Sequence, residues 1–133
     1  MATTPQFRQG QVYFVDCPPI DGGSAKKRPI VLVSTRAEIE RGGLLRVVVC
    51  TTSPEREGTR DADRVEIPSQ ASHPTSTSGL SERSWALPRW RFPIDRARLT
   101  EPAVGYVNRQ TLTRILEAVE ARIRTGSESG RSD

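Results

Sequence analysis

Little in this sequence lends itself to redox, metal or membrane chemistry. Two cysteines, Cys17 and Cys50, are too few for a disulfide framework. Each ends a strand-like run, so both are read as buried packing thiols of a reduced protein. The single histidine, His73, lies in a stretch of Ser, Thr and Pro that offers no neighbours to fix its geometry, and it reads as a solvated bystander. No His pair or Cys pair stands at ligand spacing, and Glu55, Glu57, Asp61 and Asp63 read as a solvated acidic loop, so neither a metal nor a cofactor is expected. No run approaches the roughly 18 apolar residues that cross a bilayer. The start, Met1 to Gln6, lacks the basic-then-apolar order of a signal peptide, which leads us to expect a cytoplasmic protein with no membrane partner.

Charge is what the chain has in excess. Twenty Lys and Arg stand against sixteen acids, a net charge of +4, and Arg greatly outnumbers Lys. A guanidinium grips phosphate through two parallel hydrogen bonds, so an anionic partner is indicated, although a basic surface can also be inert. Arg89-Trp90-Arg91 sets an aromatic between two cations, the composition of a platform on which a base stacks while phosphates meet guanidinium groups. The competing reading gives Trp85 and Trp90 to the core, because aromatics are only 5% of the chain.

The 133 residues suit one domain. Gln11 to Asp16 reads as a first strand, closed by Pro18-Pro19 and a loop through Gly22 and Gly23. Arg28 to Ser34 is almost continuously β-branched and aliphatic, the mark of a strand buried on both faces. Thr35 and Glu38 have capping-box spacing, and Gly42-Gly43 ends the short helix they open. Leu44 to Cys50 reads as a central strand and Asp63 to Ile67 as a half-exposed one, with a charged hairpin loop from Pro54 to Asp61 between them. Pro68 to Gly79 has almost nothing to bury and reads as a mobile surface loop. Ser84 to Leu87 and Trp90 to Phe92 are two short strands with a bend near Pro88. Leu112, Ile115, Leu116, Val119 and Ile123 predict an amphipathic helix over 111–123, capped by Asn108. The expected organisation is an arm over 1–9, one domain over 10–124 and a disordered tail over 125–133, with an α+β fold dominated by antiparallel sheet.

Physical patterning stops there, but an ordered set of short motifs goes further. Gly10 to Asp16, then Pro19 and Gly22, then Lys27-Arg28-Pro29 open the set. Val47 to Ser53, Gly79-Leu80 with Ser84, Ile94-Asp95, Arg98-Leu99 and Gly105 continue it. Together these resemble the MazF/PemK toxins across residues 10 to 123. The resemblance implies an SH3-like barrel of the CcdB/PemK type, with a short internal helix and a C-terminal amphipathic helix. It further implies a homodimer, an antitoxin partner, and metal-independent cleavage of single-stranded RNA through the substrate's own 2′-hydroxyl, leaving a 2′,3′-cyclic phosphate and a 5′-hydroxyl.

On that resemblance Arg28 falls on the family's arginine and Thr52 on its threonine, the two expected catalytic residues. Thr51, Ser53 and Asp16 are the rivals for a catalytic or substrate-positioning part, while Lys26, Lys27, Arg89, Trp90 and Arg91 are expected to bind RNA. Many members carry an acid where this chain has Pro88 to Arg91, which leaves the general base open between Asp16, Asp95 and solvent. Arg28 also has a structural reading, as a strand-end cation paired with Asp16, and Thr52 as an ordinary strand residue. Two other functions stay open. A CcdB-like toxin binds gyrase through an apolar helix end, which Ser129 to Asp133 does not offer. A non-catalytic SH3-like module binds nucleic acid without cutting it.

Overall fold

The computed structural model describes residues 7–17, 26–52, 63–100 and 102–129. Its strands are β1 (Gln11–Cys17), β2 (Lys26–Leu32), β3 (Leu45–Thr51), β4 (Val65–Ile67), β5 (Ser84–Ile94) and β6 (Gly105–Tyr106). Its α-helices are α1 (Arg36–Arg41) and α2 (Arg109–Ser129). All pairings are antiparallel, in one curled sheet of order β4-β5-β3-β2-β1-β6. The expected Pro54–Asp61 hairpin loop and the Pro18–Gly23 loop lie outside the described residues.

Because strand side chains alternate in direction, the pleat divides the apolar residues into two cores. Val12, Val31, Val48, Cys50 and Ile67 lie under Ile115 and Val119 of α2. Tyr13, Val15, Ile30, Leu32, Val47 and Val49 point the other way, where Phe7, Ile39, Phe92 and Leu99 close over them. Ile30, Val31 and Leu32 are all fully buried, as a strand covered on both faces requires. Thr35 and Glu38 form the expected capping box, and Gly42 and Gly43 end α1 at φ +91° and +88°. Among the described residues no helix is long and apolar enough to cross a membrane.

Three sequence expectations are corrected. The two short strands around Pro88 are one strand, β5, because an irregularity sets only Val49 of β3 between partners that β5 spaces five residues apart (Val48 opposite Arg91, Cys50 opposite Ala86). Pro88 falls in that bulge, where no ladder hydrogen bond is asked of it. The helix starts at Arg109, with Asn108 Oδ1 accepting from the Thr111 N–H at 2.7 Å, and it runs through the supposed tail to Ser129. Elongating a formed helix requires no apolar residue, and Gly126 costs only about 1 kcal/mol.

The third correction concerns the Pro68–Gly79 segment, which is fastened rather than mobile. Ser69 and Ser78 are buried, the Ser78 hydroxyl donates to the Pro68 carbonyl, and Gln70 N–H donates to the Leu80 carbonyl. Thr77 and Tyr106 exchange two bonds: the Tyr106 N–H donates to the Thr77 carbonyl, and the Thr77 hydroxyl donates to the Tyr106 carbonyl. Gly79 (φ +79°) and Gly105 make this approach possible, since a Cβ on either would collide with the backbone of Val104 or of Thr77 and Ser78.

Candidate functional site

Antiparallel pairing puts the start of β2 beside the end of β3, so residues more than twenty apart in sequence meet at one end of the sheet. Extending the register of Ile30 with Val49 by two residues sets Arg28 opposite Thr51. Lys27, Arg28, Thr51 and Thr52 all line one cleft of about 270 Å³, whose further walls are Phe14, Pro29, Cys50, Leu80, Ser81, Glu82 and Ser84.

Arg28 is half-buried, and its Nε is buried with no hydrogen-bond partner. A desolvated donor costs about 1 to 3 kcal/mol when nothing accepts from it, so the position suits an arriving anion. Burial raises the Cys17 thiol, against the weaker opposing effect of the Arg28 and Arg98 charges. Thr51 is buried, whereas Thr52 is exposed.

The alternative pairing of Arg28 with Asp16 is absent among the described residues. Arg28 faces Val15 across the β1–β2 ladder, while Asp16 is exposed beside Lys27 on the opposite side of the pleat. Asp95 is engaged elsewhere, its Oδ1 accepting from the Ala97 N–H at 2.9 Å to cap the turn Arg96–Arg98. Neither carboxylate lines the cleft.

Arg89, Trp90 and Arg91 lie outside that lining as well. Arg89 stacks over the Trp90 ring at 4.7 Å, and Trp90 packs on the core cluster that contains Ile30, its Nε1 buried without a partner. Arg91 donates to the Pro88 carbonyl and lines a different pocket, of about 290 Å³, with Val33, Phe92 and Val119. Lys26 pairs through its backbone with Cys17, and Ser53 lies outside the described residues. His73 is exposed, with Nδ1 3.0 Å from the Ser72 hydroxyl. Among the described residues no three His, Cys, Asp or Glu side chains are grouped to hold a metal ion.

Sequence reasoning missed Phe14 and Glu82. Phe14 belongs to an ordinary strand, and Glu82 sits between the Leu80 and Ser84 motif positions, where only its nearness to Ser84 was available as a signal. Adjacent Arg83 is withdrawn from the cleft chemistry, because it forms a two-pronged ion pair with Glu66 and lies over Trp85.

A cleft lined by an arginine whose Nε has no partner, a lysine, four hydroxyl side chains, one carboxylate and an aromatic ring is equipped to hold a phosphodiester beside a base. Among curated proteins none matches this sequence significantly. Solved structures do share its fold. A mycobacterial endoribonuclease in complex with its cognate antitoxin is 19% identical, with a TM-score of 0.62 over 89% of this chain and 95% of that one. A MazE–MazF complex from Deinococcus radiodurans is 17% identical, with a TM-score of 0.60 over 92% and 95%. MazF alone from the same organism is 16% identical, with a TM-score of 0.61 over 96% and 99%. The model of the PemK-like, MazF-like toxins matches residues 8–123, which is most of the chain. The protein therefore belongs to the PemK-like, MazF-like toxins of type II toxin–antitoxin systems.

Proposed function

We propose that this toxin is a cytoplasmic endoribonuclease that cuts single-stranded RNA without a metal. The reaction joins the 2′-oxygen to phosphorus and expels the 5′-oxygen, leaving a 2′,3′-cyclic phosphate and a 5′-hydroxyl. Arg28 holds the phosphate oxygens and stabilises the charge that grows on them, a task suited to a group that stays protonated. Thr52, or its neighbour Thr51, donates a hydroxyl hydrogen bond to a phosphate oxygen or to the departing 5′-oxygen. Lys27 steers the RNA backbone, and Phe14 offers a face to a base. The observation that carries this reading is that Arg28, whose Nε is buried without a partner, lines one cleft with both threonines.

Structural neighbours of the same fold are solved bound to antitoxins. By the same reading this chain works as a homodimer and is held inactive by a cognate antitoxin, which lays an extended acidic segment over the basic cleft. The test is to map the ends of RNA incubated with purified protein and a chelator. Cyclic-phosphate and 5′-hydroxyl ends are expected, and intact RNA, or cutting that the chelator abolishes, rejects the proposal.

A further inference from the structure

If RNA is cleaved in this cleft, something must take the proton from the attacking 2′-hydroxyl. Arg28 and Lys27 are cations and the threonines are far too weak as bases, so the basic walls supply no acceptor. The two aspartates favoured by the sequence stand elsewhere, Asp16 across the pleat from Arg28 and Asp95 capping its turn. Glu82 is the one carboxylate among the described residues that line the cleft.

Three observations equip it for the part. Its carboxylate makes no hydrogen bond or ion pair among the described residues, because Glu66 takes the neighbouring Arg83. Its side chain is exposed and can meet a bound ligand. Its backbone is fixed from both sides, since the Ser84 hydroxyl donates to the Glu82 carbonyl at 2.9 Å and buried Leu80 anchors the preceding turn through the Ser78 hydroxyl. A held backbone with an uncommitted carboxylate is what positioned proton transfer requires.

We infer that Glu82 is the general base of this site, an assignment that rests on the ribonuclease reading above. The Glu82 carboxylate accepts the 2′-hydroxyl proton as the O2′–P bond forms. The P–O5′ bond breaks with its electron pair going to the 5′-oxygen, which takes a proton from water, while Arg28 faces the phosphoryl oxygens. No redox partner or metal enters the balance.

The test measures single-turnover cleavage of a single-stranded RNA by the full chain and its variants. Wild-type protein that makes no cyclic-phosphate ends overturns the ribonuclease reading, and this one with it. If the wild type cuts, Glu82→Gln is expected to be slower by about 10²- to 10⁴-fold and to lose the acid limb of the pH–rate profile. Glu82→Ala is expected to recover part of its rate in added formate, while Arg28→Ala recovers none. A Glu82→Gln variant as fast as wild type, with the same pH profile, overturns the Glu82 assignment and leaves the ribonuclease intact. A slow Glu82→Ala that formate does not rescue, yet binds RNA normally, overturns the proton-transfer role.

Discussion

Arg28 is a residue whose place in the fold costs stability. Its Nε is buried with no acceptor, so the resting protein carries a desolvation penalty that a phosphate would relieve. Arg28→Ala should therefore slow RNA cleavage by about 10²- to 10³-fold, checked by single-turnover kinetics. Arg28→Met should lose the same activity with no fall in Tm, checked by thermal unfolding, because it keeps the bulk and removes the unmet donor. At this scale the cleft was half legible. Arg28 and Thr52 stand in motif positions, but Glu82 shows in sequence as one acid among sixteen, set apart only by its nearness to Ser84. Its meaning depends on a fold that carries it to the ends of β2 and β3 and on Glu66 engaging Arg83.

Local elements were read well wherever local rules fix them. The α1 capping box is one such case, and it also sets a pH dependence. The Thr35 backbone N–H, and after it Arg46, hold the Glu38 carboxyl below its ordinary range. A lowered folded value means that this contribution is complete above the ordinary carboxylate range and is lost as pH falls through the lower folded value. Thr35→Ala should cost about 1 kcal/mol at neutral pH, read from urea unfolding. Glu38→Gln should flatten the acid side of the stability curve. β5 was misread because Pro88 ordinarily ends a strand, and only a partner strand reveals that a bulge has absorbed it. The Pro68–Gly79 segment was misread because its order comes from Ser and Thr hydroxyls bonded to backbone rather than from apolar burial. Gly105→Ala should break that order. Its Cβ would strike the Thr77 and Ser78 backbone, and a loss of roughly 1 to 3 kcal/mol with faster proteolysis between Pro68 and Gly79 is expected.

For the whole molecule, composition indicated one basic domain, and the apolar runs indicated an antiparallel sheet. The sheet order β4-β5-β3-β2-β1-β6 was not readable from the residues, since pairing β6 with β1 joins segments some ninety residues apart, and no local pattern records such a contact. The net charge of +4 gives a molecular-scale prediction. RNA affinity should fall with salt by about 0.7 log units per decade for each phosphate contacted, measured by titration at several ionic strengths, and an antitoxin with an acidic segment should compete on the same footing.

The bond exchange between Thr77 and Tyr106 bears on how this protein meets other chains. β6 is the rim of the sheet, and a rim ordinarily offers its unpaired amides to any extended peptide that drifts past. Here the protein's own backbone already occupies the berth at Tyr106. A visiting strand would first have to evict Thr77, and so this margin is sealed against casual intermolecular ladders.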